Sequence, residues 1–388
     1  MKYKFIFSKG PLDTLNYFSY RLIQSAISLH YEYYVIDINN PATFVNDKFL
    51  EFITTGNPIG IFFNSIGLGL TYNDKNLWCI HQIPIYNFLV DHPRYFTDIY
   101  KFDTENIHII VLDSNHMNFI KRWFPKFKNK VYFLPDGGSP GNAIDYKSRT
   151  IDVIYTGSSH NITYENIDFF QDHGLNFYQS VISYMINNPS LTTEEAIENF
   201  IARNNNLNSD EKYALHFKFS NYVERDVRRY FKLKMMHALD RAGINVHIYG
   251  RLWEDDSEPF SSNIHIHKVV SSQECLDLIG NSKISLNCMP WFKNGCSERV
   301  FNSMLSGAVS VSDKSDYLIK NYTDGQDIIL YELGNENQMA ADVKWLLNHP
   351  EEAEKISLAG KRKASTNDTW YCRFNSILKL LGIDSNNS

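Results

Sequence analysis

The densest group of residues that could do chemistry runs from Asn287 to Asp313. Its pattern predicts a strand, a loop, a helix over Glu298–Ser306 with Ser297 as N-cap, and a glycine stop at Gly307 in the left-handed region. A helix N-terminus offers free backbone N–H groups, and Arg299 in the first turn adds a guanidinium that can bind two oxygens. The segment therefore predicts an anion site that suits a diphosphate, with a surface ion pair of Arg299 as the alternative.

A second candidate group is the sequence Val90-Asp-His-Pro93, which ends a predicted strand. Asp91 and His92 would be presented at the carboxyl edge of that strand, where either could remove a proton from a hydroxyl. The alternative is that Asp91 caps the next helix and His92 is an ordinary polar residue. His116, which also follows a strand, is a weaker candidate.

Other polar groups do not predict a metal site. His265 and His267 share one strand face, but no third ligand is near them in the sequence, and Glu254-Asp-Asp256 is typical of an acidic loop. The five cysteines contain no C-x-x-C pair and indicate a reducing compartment. The charge run Glu224–Arg229 is expected to be solvated or salt-bridged on a helix face.

The elements that must position these residues alternate between short apolar runs and longer helical patterns, which is typical of parallel sheets with crossover helices. Helices are predicted at Thr14–His30, His116–Trp123, Asn221–Ala242 and Glu352–Leu381. The predicted strands are Lys4–Phe7, Tyr34–Ile38, Ile59–Phe63, Ile85–Val90, Ile107–Leu112, Val131–Phe133, Ile151–Tyr155, Asn245–Tyr249, Ile264–His267, Ile284–Asn287, Ala308–Ser312 and Ile328–Leu330.

The segment Pro135–Gly141 is rich in glycine and proline, which interrupt helices and strands, and it predicts a domain boundary near residue 145. We therefore predict one α/β domain over 1–145, a second over 146–365 with a helical insertion at about 160–220, and a C-terminal helix and frayed tail over 366–388. Two such domains in series place the expected binding site in a cleft between them.

The composition is that of a folded protein that is weakly acidic. The chain has 388 residues, 43% of them hydrophobic, and a formal charge of −6. This argues against a broad nucleic-acid surface. The first residues are too polar for a signal peptide, and no apolar stretch approaches the length of a membrane span. The sequence predicts a cytoplasmic protein with no transmembrane segment and leaves the oligomeric state open.

One family resemblance rests on the segment Ser297-Glu-Arg-Val-Phe-Asn-Ser-Met-Leu-Ser-Gly-Ala308 followed by Asp313. It resembles the "E-R-[IV]-F-…-G-A-…-D" segment of CgeB-like glycosyltransferases, which have the GT-B fold and a C-terminal domain of the glycosyltransferase family 1/4 type. Further matching segments follow in the family's order: Asp152–Ser158, Val246–Gly250 with Trp253, Lys283–Asn287 and Asp368–Trp370. The resemblance covers roughly residues 150–381.

The resemblance implies a GT-B fold of two Rossmann-like domains facing a central cleft. It implies transfer of a hexosyl or N-acetylhexosaminyl group from a nucleotide-diphosphate donor, with UDP-sugar favoured, to a protein or surface-glycan acceptor. No metal or other cofactor is implied. The donor-binding residues carried over from the family are Arg299, Asn302, Lys293, Gly157, Ser158, Tyr249, Gly250, Asn287 and Gly295, and the catalytic candidates are His92, Asp91 and Glu298.

Two positions depart from the family pattern. Asn302 stands where many relatives have a glutamate that binds ribose, and Asn294 stands where the wider GT-B pattern has another. An amide accepts a hydrogen bond less strongly than a carboxylate. Glu298 is then the carboxylate left in the segment, either near the sugar or as a complement to the helix N-terminus. The alternatives to a transferase are a non-catalytic nucleotide-sugar-binding protein and a sugar-nucleotide epimerase on the same fold.

Overall fold

The computed structural model describes residues 3–101, 105–159, 175–203, 207–253 and 258–383. The chain divides into two compact units. Unit 1 consists of Met1–Ser139 together with Thr366–Ser388, and unit 2 consists of Pro140–Ser365. The last segment of the chain thus returns to the unit that the first segment begins.

The first part of the chain alternates strands with helices, as the apolar runs predict. Single 3-10 turns lie at Pro41–Thr43 and Pro125–Phe127, and a longer 3-10 segment lies at Pro93–Lys101. The elements are β1 (Tyr3–Lys9), α1 (Asp13–Ser28), β2 (Glu32–Asp37), α2 (Asp47–Thr54), β3 (Asn57–Phe63), β4 (Thr71–Tyr72), β5 (Lys75–Asn76), α3 (Leu77–Ile80), β6 (Ile85–Leu89), β7 (Ile107–Val111), α4 (Ser114–Trp123) and β8 (Val131–Phe133).

The rest of the chain repeats the alternation after a helical insertion. A 3-10 turn at Tyr146–Ser148 precedes it, and a π-helical turn at Leu215–Phe219 joins α7 to α8. The elements are β9 (Ile151–Thr156), α5 (Leu175–Asn187), α6 (Thr193–Arg203), α7 (Ser209–Ala214), α8 (Ser220–Arg241), β10 (Val246–Tyr249), β11 (Ile264–His267), α9 (Ser272–Gly280), β12 (Ser282–Leu286), α10 (Glu298–Leu305), β13 (Val309–Asp313), α11 (Asp316–Asn321), β14 (Ile329–Tyr331), α12 (Glu336–Asn348), α13 (Pro350–Asn367) and α14 (Trp370–Leu380).

Each unit contains one six-stranded sheet in which all pairs are parallel. The strand order is β2-β1-β3-β6-β7-β8 in unit 1 and β11-β10-β9-β12-β13-β14 in unit 2. Both are doubly wound orders, and the second is the Rossmann order, which reverses direction between β9 and β12. This confirms the predicted α/β class with two Rossmann-like domains. Each predicted strand occurs within two residues of its expected ends.

The helices show where the local sequence pattern does not determine the ends of an element. The predicted crossover helix is α8, and the insertion contains α5, α6 and α7, while residues 160–174 of the predicted insertion lie outside the described residues. The predicted continuous tail helix is two helices, α13 and α14. Thr369 is the N-cap of α14, where its hydroxyl accepts a hydrogen bond from the Cys372 N–H at 3.2 Å and starts a new helix.

Within the described ranges, none of the helices combines the length and the apolar character needed to cross a bilayer.

Candidate functional site

The predicted donor residues of unit 2 gather at the carboxyl ends of β9 and β12, where the strand order reverses. Gly157 and Ser158 follow β9, and Asn287 follows β12. Loops that leave neighbouring strands in opposite directions open a crevice at such a point, so ligands of doubly wound sheets bind there. The fold therefore brings together residues that are about 130 positions apart in the sequence.

Gly157 and Gly250 allow two backbone segments to approach closely. The Gly157 N–H donates to the Tyr249 carbonyl at 3.0 Å, and the Gly157 carbonyl accepts from Trp253 Nε1 at 2.9 Å. A Cβ at Gly250 would lie 2.2 Å from the Gly157 carbonyl oxygen, so a side chain there cannot fit without a backbone shift. These glycines serve contact within the chain, and their predicted contact with donor phosphates stays a prediction.

Ser158 is also held by the protein. Its hydroxyl accepts from the Arg251 N–H at 3.1 Å, and its carbonyl accepts from Lys232 Nζ at 2.8 Å. The loop after β9 is therefore fixed from both sides, by the segment after β10 and by α8.

Arg299 is positioned by the buried amide of Asn287. Its Nη1 donates to Asn287 Oδ1 at 3.1 Å, and Asn287 in turn donates to Ser312 Oγ at 2.9 Å. The guanidinium also lies 5.7 Å from the centre of the Tyr155 ring. The half-buried Arg299 is thus held at the start of α10 by groups from β9 and from the end of β12.

The expected cap at Ser297 is not formed. Ser297 occupies the N-cap position, but its hydroxyl makes no capping hydrogen bond and instead lies 3.4 Å from Asn287 Oδ1. The buried amide competes for the hydroxyl. The first turn of α10 therefore lacks the side-chain cap that the sequence predicts, as suits a helix start that receives a ligand oxygen.

The other end of α10 is fixed as predicted at Gly307, which has a φ of +72°. The buried Arg149 adds a constraint that the sequence does not reveal, because its guanidinium donates to the carbonyls of Ser282, Ser306 and Gly307. A cation at the C-terminus of a helix is favourable to its dipole. Arg149 therefore fixes α10 against the amino end of β12.

Sequence reasoning missed two buried cations on α8. Arg228 and Lys232 are one turn apart and only 9% and 4% exposed. Of the two expectations for the charge run, the salt-bridged one holds at Glu224 and Arg228, and the pair that they form is buried. The signal was the i, i+4 spacing of these residues, which places them on one face of α8. That face turns inward because α8 packs on the core of unit 2.

Arg228, Lys232 and Arg299 form one group, the cation cluster. The Arg228 guanidinium lies 3.7 Å from the centre of the Trp291 ring, and Lys232 Nζ lies 5.7 Å from the same point. Burial, with the nearby guanidinium groups of Arg299 and Arg228, lowers the pKa of Lys232 to about 7. Cations placed together out of water repel one another, so the cluster favours an anionic ligand.

Asp313 at the end of β13 is a further buried acidic group of this region. It is 1% exposed, and its Oδ1 accepts from the Met289 N–H at 2.8 Å. Burial raises the pKa of Asp313 to about 7, against the opposing effects of that hydrogen bond, Lys293 and Arg299.

The loop between β12 and α10 is held by two hydrogen bonds to other segments of unit 2. The Gly295 carbonyl accepts from Ser315 Oγ at 2.7 Å, and Lys293 Nζ donates to the Pro189 carbonyl of the insertion. A cavity of about 410 Å³ adjoins the loop. Its lining consists of Pro189, Ser190, Lys293, Asn294, Lys314, Ser315, Asp316, Ile319, Glu332 and Leu333.

Glu298 and Asn302 are both half-buried on α10. Tyr249, which the resemblance places at the base pocket, stacks on His267 with ring centres 4.5 Å apart. His267 also lies near His247, whose Nδ1 is 3.0 Å from His267 Nε2. Across the part of the chain that the structure describes, no three His, Cys, Asp or Glu side chains are grouped to hold a metal ion.

The catalytic candidates of unit 1 have different surroundings. Asp91 is exposed, and its Oδ2 accepts from Asn64 Nδ2 at 3.1 Å. His92 is 4% exposed, and its Nδ1 accepts from both the N–H and Nε of Arg94, at 3.1 and 2.8 Å. The His92 ring also packs against His116 at 4.4 Å. Asp91 is therefore the accessible group, and His92 is a buried ring held by a cation.

Two of the solved structures that resemble this chain are described as glycosyltransferases. An α-glucosyltransferase (AGT) in complex with UDP matches with a TM-score of 0.54 and 10% identity, over 98% of this chain and 100% of its own. A glycosyltransferase from Rickettsia africae matches with a TM-score of 0.50 and 10% identity, over 98% and 97%. TarM matches with a TM-score of 0.46 and 15% identity, and this chain spans only 57% of its length. The chain thus has the GT-B fold.

The family described as "Glycosyl transferase-like" matches residues 228–379. The match begins at Arg228 of the cation cluster and includes the loop after β12 and α10. No protein of curated function matches the sequence.

Proposed function

We propose that the protein is a CgeB-like glycosyltransferase that moves a hexosyl or N-acetylhexosaminyl group from a nucleotide diphosphate to a protein or surface glycan. The observation that carries the proposal is the cation cluster beside the uncapped start of α10, at the strand-order reversal of unit 2. Buried cations together with free helix N–H groups suit a diphosphate more than any neutral ligand.

In this proposal the diphosphate is the part of the donor that the cation cluster binds, and it is also the leaving group. The bond between the sugar C1 and the β-phosphate oxygen breaks, and C1 bonds to an acceptor hydroxyl oxygen. Arg299 and Arg228 offset the charge that develops on the departing phosphate. The acceptor proton leaves to a base, and the exposed Asp91 of unit 1 is the candidate if the reaction inverts the sugar configuration.

Several features support the finer points of the proposal. AGT is described with UDP-glucose and DNA containing an abasic site, which supports UDP as the first nucleotide to test. Cations in the donor site can neutralise the diphosphate directly, which supports catalysis without a metal. All five cysteines are free thiols, which supports a cytoplasmic location.

Thermal denaturation with UDP, GDP, CDP and their sugars tests the donor site. A nucleotide at 100 times its dissociation constant should raise the free energy of unfolding by about 2.7 kcal/mol. The stabilisation should disappear in Arg299→Ala and persist in Arg225→Ala, which removes an exposed arginine of α8. If no nucleotide stabilises the folded wild-type protein, the donor-site proposal is wrong.

A non-catalytic nucleotide-sugar-binding protein is the second candidate, favoured by Asn294 and Asn302 where carboxylates are expected. Release of nucleotide from the sugar donor separates the two candidates. A transferase releases nucleotide in proportion to the acceptor supplied, whereas a binding protein is stabilised by the donor and releases none.

A further inference from the structure

Lys232 has surroundings that oppose its positive charge. It is 4% exposed, and its Nζ donates to the Ser158 carbonyl at 2.8 Å. The two guanidiniums beside it have their own partners, since Arg228 is paired with Glu224 and Arg299 donates to Asn287. A backbone carbonyl is a weak substitute for the water that a buried ammonium loses.

The titratable and charged groups around Lys232 come from every element packed against it. Those that act on it directly are Arg299 and Arg228, which disfavour the charged ammonium, and Cys288, which would favour it only as a thiolate. Burial raises the pKa of Cys288 and so disfavours the thiolate. The wider group is Glu224 on α8, Tyr155 on β9, Glu298 on α10 and Asp313 on β13. Glu224 is paired with Arg228 and burial raises the pKa of Asp313, and neither carboxyl group is among those that act on Lys232 directly.

We propose that Lys232 takes up a proton from solvent when a nucleotide diphosphate binds in the cation cluster. The inference rests on the proposed donor site. A diphosphate brings two or more negative charges into the cation cluster, and these favour the ammonium form of Lys232. Lys232 thereby makes donor affinity depend on pH.

The sign of the dependence follows from linkage. The protonated protein binds the diphosphate better, so affinity falls as the pH rises above the pKa of about 7 in the ligand-free protein. The fall approaches tenfold per pH unit at most, since one proton is involved. Phosphates themselves titrate near pH 6, so the informative range lies above pH 7.

Calorimetric titration with UDP at pH 8 in HEPES, Tricine and Tris buffers measures the uptake. The slope of the observed binding enthalpy against the buffer's ionisation enthalpy is the number of protons taken up. We expect a value approaching 0.9 for the wild type, because a group with a pKa of about 7 is roughly one-tenth protonated at pH 8.

Three variants make the assignment specific. Lys232→Arg retains a charge that does not titrate, so UDP should bind with almost no proton uptake and with an affinity that is flat above pH 7. Lys232→Met should bind UDP more weakly, also without uptake, and reports on the site if the larger arginine is not accommodated. Lys218→Arg changes an exposed lysine and should behave as the wild type.

The outcomes separate the inference from the proposed function. UDP binding to the wild type without proton uptake overturns the inference and leaves the donor site standing. Uptake that persists in Lys232→Arg but is lost in Asp313→Asn assigns the proton to Asp313 and overturns the inference too. Failure of UDP, GDP and CDP to bind the folded protein overturns both.

Discussion

Asp313 and Lys232 are ionisable side chains whose charged forms the fold disfavours. Both are buried near the carboxyl edge of the second sheet. Burial raises the pKa of Asp313 to about 7 and lowers the pKa of Lys232 to about 7. Each loses water on folding, so the free energy of unfolding must depend on pH through both.

The variant Asp313→Asn tests whether the free energy of unfolding depends on pH through Asp313. The pKa of Asp313 is raised on folding from 3.8 to about 7, so its contribution to stability is present below pH 3.8 and lost as the pH rises to about 7. Asparagine retains the oxygen that accepts from Met289 and removes the titration. Denaturant unfolding between pH 4 and 8 should show the wild type losing stability relative to Asp313→Asn as the pH rises. A constant difference across that range would contradict the assignment.

The sequence predicted Arg299 as the central cation because Arg299 lies in the first turn of a helix that follows a strand. Such a position can be recognised from the local sequence and is typical of an anion site. The sequence could not predict Lys232, which is 67 residues before Arg299 and looks like any lysine of a polar helix. Only the packing of α8 on the sheet turns Lys232 inward. The i, i+4 spacing places Lys232 and Arg228 on one face of α8, but tertiary contacts decide whether that face is buried.

The close approach of two loops decides how the carboxyl edge of the sheet of unit 2 is built. The segment after β9 and the segment after β10 are in contact because position 250 has no side chain, and Trp253 holds the Gly157 carbonyl from the other side. The apolar runs predicted both strands. That the two segments touch follows from the pairing of β9 with β10.

Gly250→Ala should destabilise unit 2 by about 1–3 kcal/mol, the usual cost of forcing an extra methyl group into a packed site. The added carbon would lie 2.2 Å from the Gly157 carbonyl oxygen and 3.0 Å from the Ser158 nitrogen. Gly69→Ala is the matched control, because a Cβ there meets no atom within 4 Å. Urea midpoints of the two variants check the prediction, and equal midpoints would count against the contact.

At the scale of the whole molecule, the chain enters unit 2 and then returns to unit 1 with α14. Phe374 on α14 is fully buried, with its ring 5.0 Å from Phe5 on β1, and Trp370 lies 4.8 Å from Phe18 on α1. Arg373 adds a hydrogen bond to the Asp136 carbonyl at 2.9 Å. The sequence predicted a terminal helix, but its amphipathic pattern cannot say which domain supplies its partner surface.

Phe374→Ala should destabilise unit 1 by about 3–5 kcal/mol, since it leaves a cavity in a packed aromatic cluster. Hydrogen exchange should speed up in β1 and α1 and stay slow in β9 and β12. Tyr371→Ala, which changes a residue of the same helix that is 46% exposed, should leave both units unchanged. Equal acceleration in both sheets would show that α14 is not specific to unit 1.

The division of unit 1 between the two ends of the chain also fixes an order of events on the ribosome. Residues Pro140–Ser365 emerge as one stretch and can complete their own sheet as they leave the tunnel. The earlier residues must wait, because the aromatic side chains of β1 and α1 are not covered until Phe374 and Trp370 have been synthesised. Unit 1, whose synthesis begins before that of unit 2, therefore completes its folding last. A nascent chain stopped short of residue 366 would carry an exposed aromatic surface for chaperones to bind.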